Sequence, residues 1–173
     1  MYNNSVMNET EQFIQFRNVL DALARYKVEY VLIGGVAVIL HGVERLTRDI
    51  DIFIKMERDN IQRLREALYS IYDDDSIDEI TFEELEEYSV IRFGVMDEFC
   101  VDIIARIGEV AVYEDLEFEH LHYEGIDVRI ATPETLYNLK KDTIRHKDRF
   151  DAGYLLDIIK NRETKASRKD KDG

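Results

Sequence analysis

Asp49 and Asp51, one residue apart in the apolar run DIDIFI, constrain this chain more than any other feature. Side chains alternate along a strand, so both carboxylates leave one face while Ile50, Ile52 and Ile54 leave the other. Two carboxylates so placed repel each other unless a cation sits between them. The surrounding stretch, YVLIGGVAVILHGVERLTRDIDIFI from Tyr30 to Ile54, reads as a buried strand, a two-glycine turn, a short apolar helix, a polar link and a second strand. Backbone N–H groups at such a turn favour an anion, and Gly34 and Gly35 would let a phosphate approach closely.

The rest of the chain supplies a scaffold. An amphipathic helix is expected over Asn8 to Lys27, with Asn8 as N-cap and Glu11 as its capping-box partner, followed by a strand over Val28 to Ile33. The glycines open a helix over Val36 to His41, and another helix spans Met56 to Tyr72. Ser89 to Val95 and Phe99 to Ala105 read as a hairpin around Met96, Asp97 and Glu98. Glu117 to Tyr123 and Ile126 to Ile130 read as a second hairpin, joined by Glu124 and Gly125. Thr132-Pro133-Glu134 is a helix start, with a threonine cap, proline at the first position and an acid in the first turn. A last helix is expected over Lys147 to Lys160, and the polar tail NRETKASRKDKDG is expected to be disordered. The resulting division is a core over 1–131, a C-terminal helical segment over 132–160 and a tail over 161–173, all within one α/β (α+β) domain.

Asp102 lies inside VDII, where an acid is costly unless it is paired or bound to metal. Both a salt bridge to an arginine and a metal site satisfy it. Cys100, on the same face, reads as a small core residue rather than a nucleophile. His120 and His122 share a strand face but lack the further ligands a metal site needs.

Charge and composition narrow the function. With 37 acidic and 23 basic residues the net charge is −14, which disfavours non-specific nucleic-acid binding. The acidic run DDDSIDEITFEELEE from Asp73 to Glu87 reads as a solvated face, or as a docking surface for a basic partner. No apolar run is long enough for a membrane span, the N-terminus lacks the pattern of a signal peptide, and a single cysteine fits a reducing cytoplasm.

Three carboxylates converging on one sheet face can hold one or two Mg²⁺ ions, which favour oxygen ligands and substrate phosphates. Arg45, Arg48 and Lys140 are placed to neutralise a triphosphate. The glycine pair, then RLTRDIDIF, then VDII, resembles the nucleotidyltransferase superfamily with a polymerase-beta-like core, although the second glycine stands where serine is common. The resemblance continues through TPETLYNLKKDTIRHKDRFDAGYL, which is similar to small bacterial nucleotidyltransferases including AbiEii-type toxins. It implies a mixed sheet flanked by helices, Mg²⁺ binding by Asp49 and Asp51, and a metal-ligand or general-base role for Asp102. It also implies nucleotide contacts by Gly34, Gly35, Arg45, Thr47, Arg48 and Lys140, and by Arg145, Lys147, Asp148 and Asp151. The implied reaction is Mg²⁺-dependent transfer of an NMP from an NTP to an acceptor hydroxyl of a small molecule, tRNA or protein, with release of pyrophosphate. Two other readings are the toxin of a toxin–antitoxin pair and a catalytically silent nucleotide-binding module. An antitoxin or a second copy of the chain is the partner these readings suggest.

Overall fold

The computed structural model describes residues 9–96, 99–109, 111–142 and 145–169. The expected cap Asn8, the turn residues Asp97 and Glu98, and the last four residues of the tail lie outside the described residues. In chain order the elements are α1 (Glu9–Arg25), β1 (Tyr30–Ile33), α2 (Gly34–Leu40), β2 (Asp49–Ile54), α3 (Arg58–Tyr69) and, after a 3-10 turn at Asp75–Glu79, α4 (Phe82–Tyr88). β3 (Val90–Met96), β4 (Phe99–Ile104), β5 (Arg106–Ile107), β6 (Ala111–Val112), β7 (Phe118–Tyr123), β8 (Ile126–Ala131), α5 (Pro133–Lys140) and α6 (His146–Lys169) follow.

Six strands form one mixed sheet in the order β3-β4-β2-β1-β8-β7, with β2–β4 and β1–β8 parallel and the other pairs antiparallel. The alternation in β2 is visible in its burial: Ile50, Ile52 and Ile54 are fully buried, while Asp49 and Asp51 are half-buried. Phe16, Val19, Leu20 and Leu23 bring the apolar stripe of α1 into the same core. Among the described residues no helix is long and apolar enough to cross a membrane.

Local chemistry explains the element ends. The β7–β8 turn uses Glu124 (φ 46) and Gly125 (φ 84), the left-handed pair that a two-residue hairpin needs. Thr132 caps α5 by accepting from the Thr135 N–H, with Pro133 just inside the helix. Asn60, fully buried, accepts from the Glu29 N–H and donates to the Glu29 and Lys55 carbonyls, pinning α3 to the outer ends of β1 and β2. Within the acidic run, Ile77, Ile80 and Leu85 are buried while most of the acids face water, so the stretch is anchored from beneath.

One expectation is overturned. The tail is not disordered through 161–169, because α6 continues to Lys169. Arg162 grips both Glu119 oxygens on β7 at 2.9 and 3.0 Å, and the Thr164 and Ser167 hydroxyls donate to the carbonyls of Lys160 and Glu163. The last helical turns are therefore held by polar contacts and good helix formers, without core residues of their own.

Candidate active site

The glycine turn and the acid pair are built against each other. β1 and β2 pair antiparallel with Ile33 opposite Asp51, so the turn that follows Ile33 lies directly beside that carboxylate. Gly34 has φ +68, and a Cβ there would fall 2.6 Å from Asp51 Cγ. A Cβ at Gly35 would fall 2.7 Å from Thr47 Oγ1. Gly34→Ala should accordingly cost about 1–3 kcal/mol of stability, the range for a non-glycine residue held in the left-handed region. It should also dislodge Asp51, which a thermal melt and a nucleotide titration on the same variant would reveal.

Parallel pairing of β2 with β4 sets Asp51 opposite Asp102 and Asp49 opposite Cys100. Burial, together with the charges of Asp102 and Asp49, pushes the Asp51 carboxyl up to about 6, against the opposing influence of Lys140 and a backbone hydrogen bond from Gly35. The site is thus short of positive charge at the acid pair. Burial also pushes the Cys100 thiol up, away from nucleophile chemistry.

These groups line a cleft of about 530 Å³ walled by Gly34, Gly35, Arg45, Thr47, Asp49, Asp51, Arg92, Asp102, Lys140, Arg145, Lys147 and Asp148. It adjoins a hollow of about 750 Å³ with Ile33, Ile107, Leu136 and Leu139 in its wall, and the two share Gly34, Lys140, Arg145 and Asp148.

The family model for the nucleotidyl transferase AbiEii toxin of type IV toxin–antitoxin systems matches residues 18–169. The chain belongs to this family. Among solved structures, the lincosamide antibiotic adenylyltransferase LnuA, bound to lincomycin, superposes with TM-score 0.58 at 20% identity, covering 88% of this chain and 98% of that one. The ANT(2″)-Ia enzyme bound to adenylyl-2″-tobramycin follows at TM-score 0.50 and 15% identity, covering 91% and 98%. A nucleotidyltransferase-like antigen of Paracoccidioides brasiliensis matches at TM-score 0.50 and 14% identity, covering 87% and 76%. At these identities the likeness is one of fold. No curated protein sequence matches the chain.

In this AbiEii-family nucleotidyltransferase the cleft wall includes the residues singled out in the sequence for catalysis or nucleotide contact except Arg48 and Asp151. The Arg48 side chain is exposed, while its backbone carbonyl accepts from the Cys100 N–H at 3.4 Å. Lys140, by contrast, is buried and paired at 2.9 Å with Asp148 and 3.1 Å with Asp151. Asp151, 1% exposed, also binds the Arg45 guanidinium. Asp151 is therefore an internal counter-ion for two cleft cations, rather than a group that reaches into the cleft.

Arg92 was missed. It faces Asp102 across the β3–β4 pair, with Nε 2.8 Å from Oδ1 and Nη2 2.7 Å from Oδ2. The three acids expected to converge on metal thus share one sheet face, but the third is turned to a guanidinium. Among the described residues no three His, Cys, Asp or Glu side chains form a set that could hold a metal ion. A signal for Arg92 was present: a hairpin centred on residue 97 places Arg92 opposite Asp102.

Proposed function

We propose that this nucleotidyltransferase moves an NMP from an NTP to an acceptor hydroxyl in a Mg²⁺-dependent reaction that releases pyrophosphate, with Asp49 and Asp51 at its centre. The observation that carries this reading is the half-buried acid pair beside the glycine turn, with Asp51 left short of positive charge. The donor set fits Mg²⁺ held by Asp49 and Asp51, since this ion is commonly bound by one or two carboxylates plus substrate phosphates and water. When bound, it would neutralise charge developing on the phosphoryl oxygens. Arg45 and Lys140, held by Asp151, would present cations to the triphosphate from the wall of the same cleft. Gly34 and Gly35 line the same cleft, and a turn without side chains would let phosphate oxygens approach its backbone. The aliphatic wall of Ile33, Ile107, Leu136 and Leu139 suits the nucleoside part of the same substrate.

The name of the matched family supports a second, overlapping reading, in which the enzyme is the toxin of a toxin–antitoxin pair and is restrained by an antitoxin. The lincosamide and aminoglycoside ligands of the structural neighbours make cationic small molecules the first acceptors to try.

Binding tests the nucleotide half of the proposal. An NTP with Mg²⁺ should raise the melting temperature of the wild type, NTP with EDTA should raise it less, and the metal-dependent part should disappear in Asp49→Asn. A metal-dependent rise retained in Asp49→Asn would remove that residue from the site.

A further inference from the structure

We propose that Arg92 is a built-in competitor of the divalent cation: it grips Asp102 in the nucleotide-free protein and releases it when a metal–triphosphate enters. The inference rests on the metal-dependent reading above.

Three neighbouring strands set Arg92, Asp102 and Asp51 side by side in one row across the sheet, because Asp102 is the register partner of both others. The guanidinium meets the carboxylate fork to fork, so both Asp102 oxygens are occupied. The same Nη2 that lies 2.7 Å from Asp102 Oδ2 lies 4.0 Å from Asp49 Oδ2. A cation shared between Asp102 and the acid pair would meet this nitrogen in the same space.

The partners differ in freedom. The Asp102 side chain is 11% exposed and fixed on a central strand, whereas that of Arg92 is 61% exposed. Arg92 can therefore swing into water while Asp102 stays in place. Lys140, the cation whose charge acts on Asp51, is buried between Asp148 and Asp151 and has no such freedom.

This arrangement couples the two ligands. A metal arriving alone must displace a bidentate arginine. A triphosphate offers that arginine a new anionic partner of matching fork geometry, so displacement becomes easier when both arrive. By linkage the effect is reciprocal, with metal raising nucleotide affinity by the same factor.

Mn²⁺ binding to the full chain, followed by the EPR signal of the free ion with and without a non-hydrolysable NTP analogue, tests this. For the wild type we expect weak binding of Mn²⁺ alone and tighter binding with the analogue. In Arg92→Gln, Mn²⁺ alone should bind about tenfold tighter, and the enhancement by the analogue should shrink. Arg92→Lys, which replaces the fork with a point charge, should fall between. The gain should vanish in Arg92→Gln/Asp102→Asn, where the contested carboxylate is gone. A folded Arg92→Gln that binds Mn²⁺ no tighter than wild type overturns the competition, as does a gain that survives Asp102→Asn. An undiminished enhancement by the analogue in Arg92→Gln overturns the release step. Failure of wild type to bind Mn²⁺ even with the analogue overturns the metal-dependent reading as well, so the two failures are distinguishable.

Discussion

Asp51→Asn should abolish nucleotidyl transfer and at the same time make the ligand-free protein more stable at neutral pH. The Asp51 carboxyl is pushed up to about 6 from an ordinary 3.8, so the folded state holds its proton more tightly than the unfolded state. Below the ordinary value both states are protonated and this stabilisation is fully present. It is lost as pH rises through about 6, where the folded protein must carry the charge beside Asp102 and Asp49. Asparagine mimics the protonated acid, so the mutant's advantage should be full above about pH 6 and fade below about pH 4. A shift of this size corresponds to about 2–3 kcal/mol, or roughly 4–10 °C in melting temperature for a chain of this length. Melting wild type and mutant in parallel between pH 4 and 8, without metal, measures the difference. A mutant less stable than wild type at pH 7.5 would contradict the account of a site short of positive charge.

Asp151→Ala should be among the most destabilising single substitutions in the C-terminal helices. The residue is 1% exposed and is shared by Arg45, from the link before β2, and Lys140, at the end of α5. Removing it leaves two mostly buried cations with Asp148, on Lys140, as the remaining carboxylate of the network. Breaking a buried ion pair from one side costs about 3–5 kcal/mol, because the charge left behind is uncompensated. Urea unfolding should show the loss, and hydrogen exchange should place the loosening in α5 and the first turns of α6. Because Arg45 and Lys140 line the cleft, nucleotide affinity should fall with it. Asp151→Ala combined with Arg45→Met should cost less than the sum of the single changes, since the second removes a cation the first has orphaned.

The strand of the acid pair and the glycine turn beside it were legible in the sequence because local rules govern them. Alternation in DIDIFI gave the strand, its bounds and the shared face of its acids, and the two glycines marked the turn into α2. Thr132 and Pro133 announced α5 by capping chemistry alone. What was not legible depends on pairing between distant segments. The strand order, with β2 between β1 and β4, is set by crossovers that no local pattern encodes. Lys140 and Asp148 were seen as motif members, but their burial with Asp151 in one ion network follows from the packing of α5 against α6. The polar tail looked disordered because it lacks core residues, while its helix is held by an arginine reaching Glu119 on β7, forty-three positions earlier. Arg92 acquires its role from the hairpin register that sets it against Asp102.

The central claim is that the acid pair transfers a nucleotidyl group, and the fate of labelled phosphorus tests it most directly. The protein would be incubated with Mg²⁺ and an acceptor panel of lincosamides, aminoglycosides, pooled tRNA and its own chain, using NTPs labelled at either the α or the γ phosphorus. The account predicts acceptor labelling from the α position only, with matching pyrophosphate release, and none by Asp49→Ala/Asp51→Ala. Labelling from the γ position, or α labelling that persists in the double mutant, would contradict it.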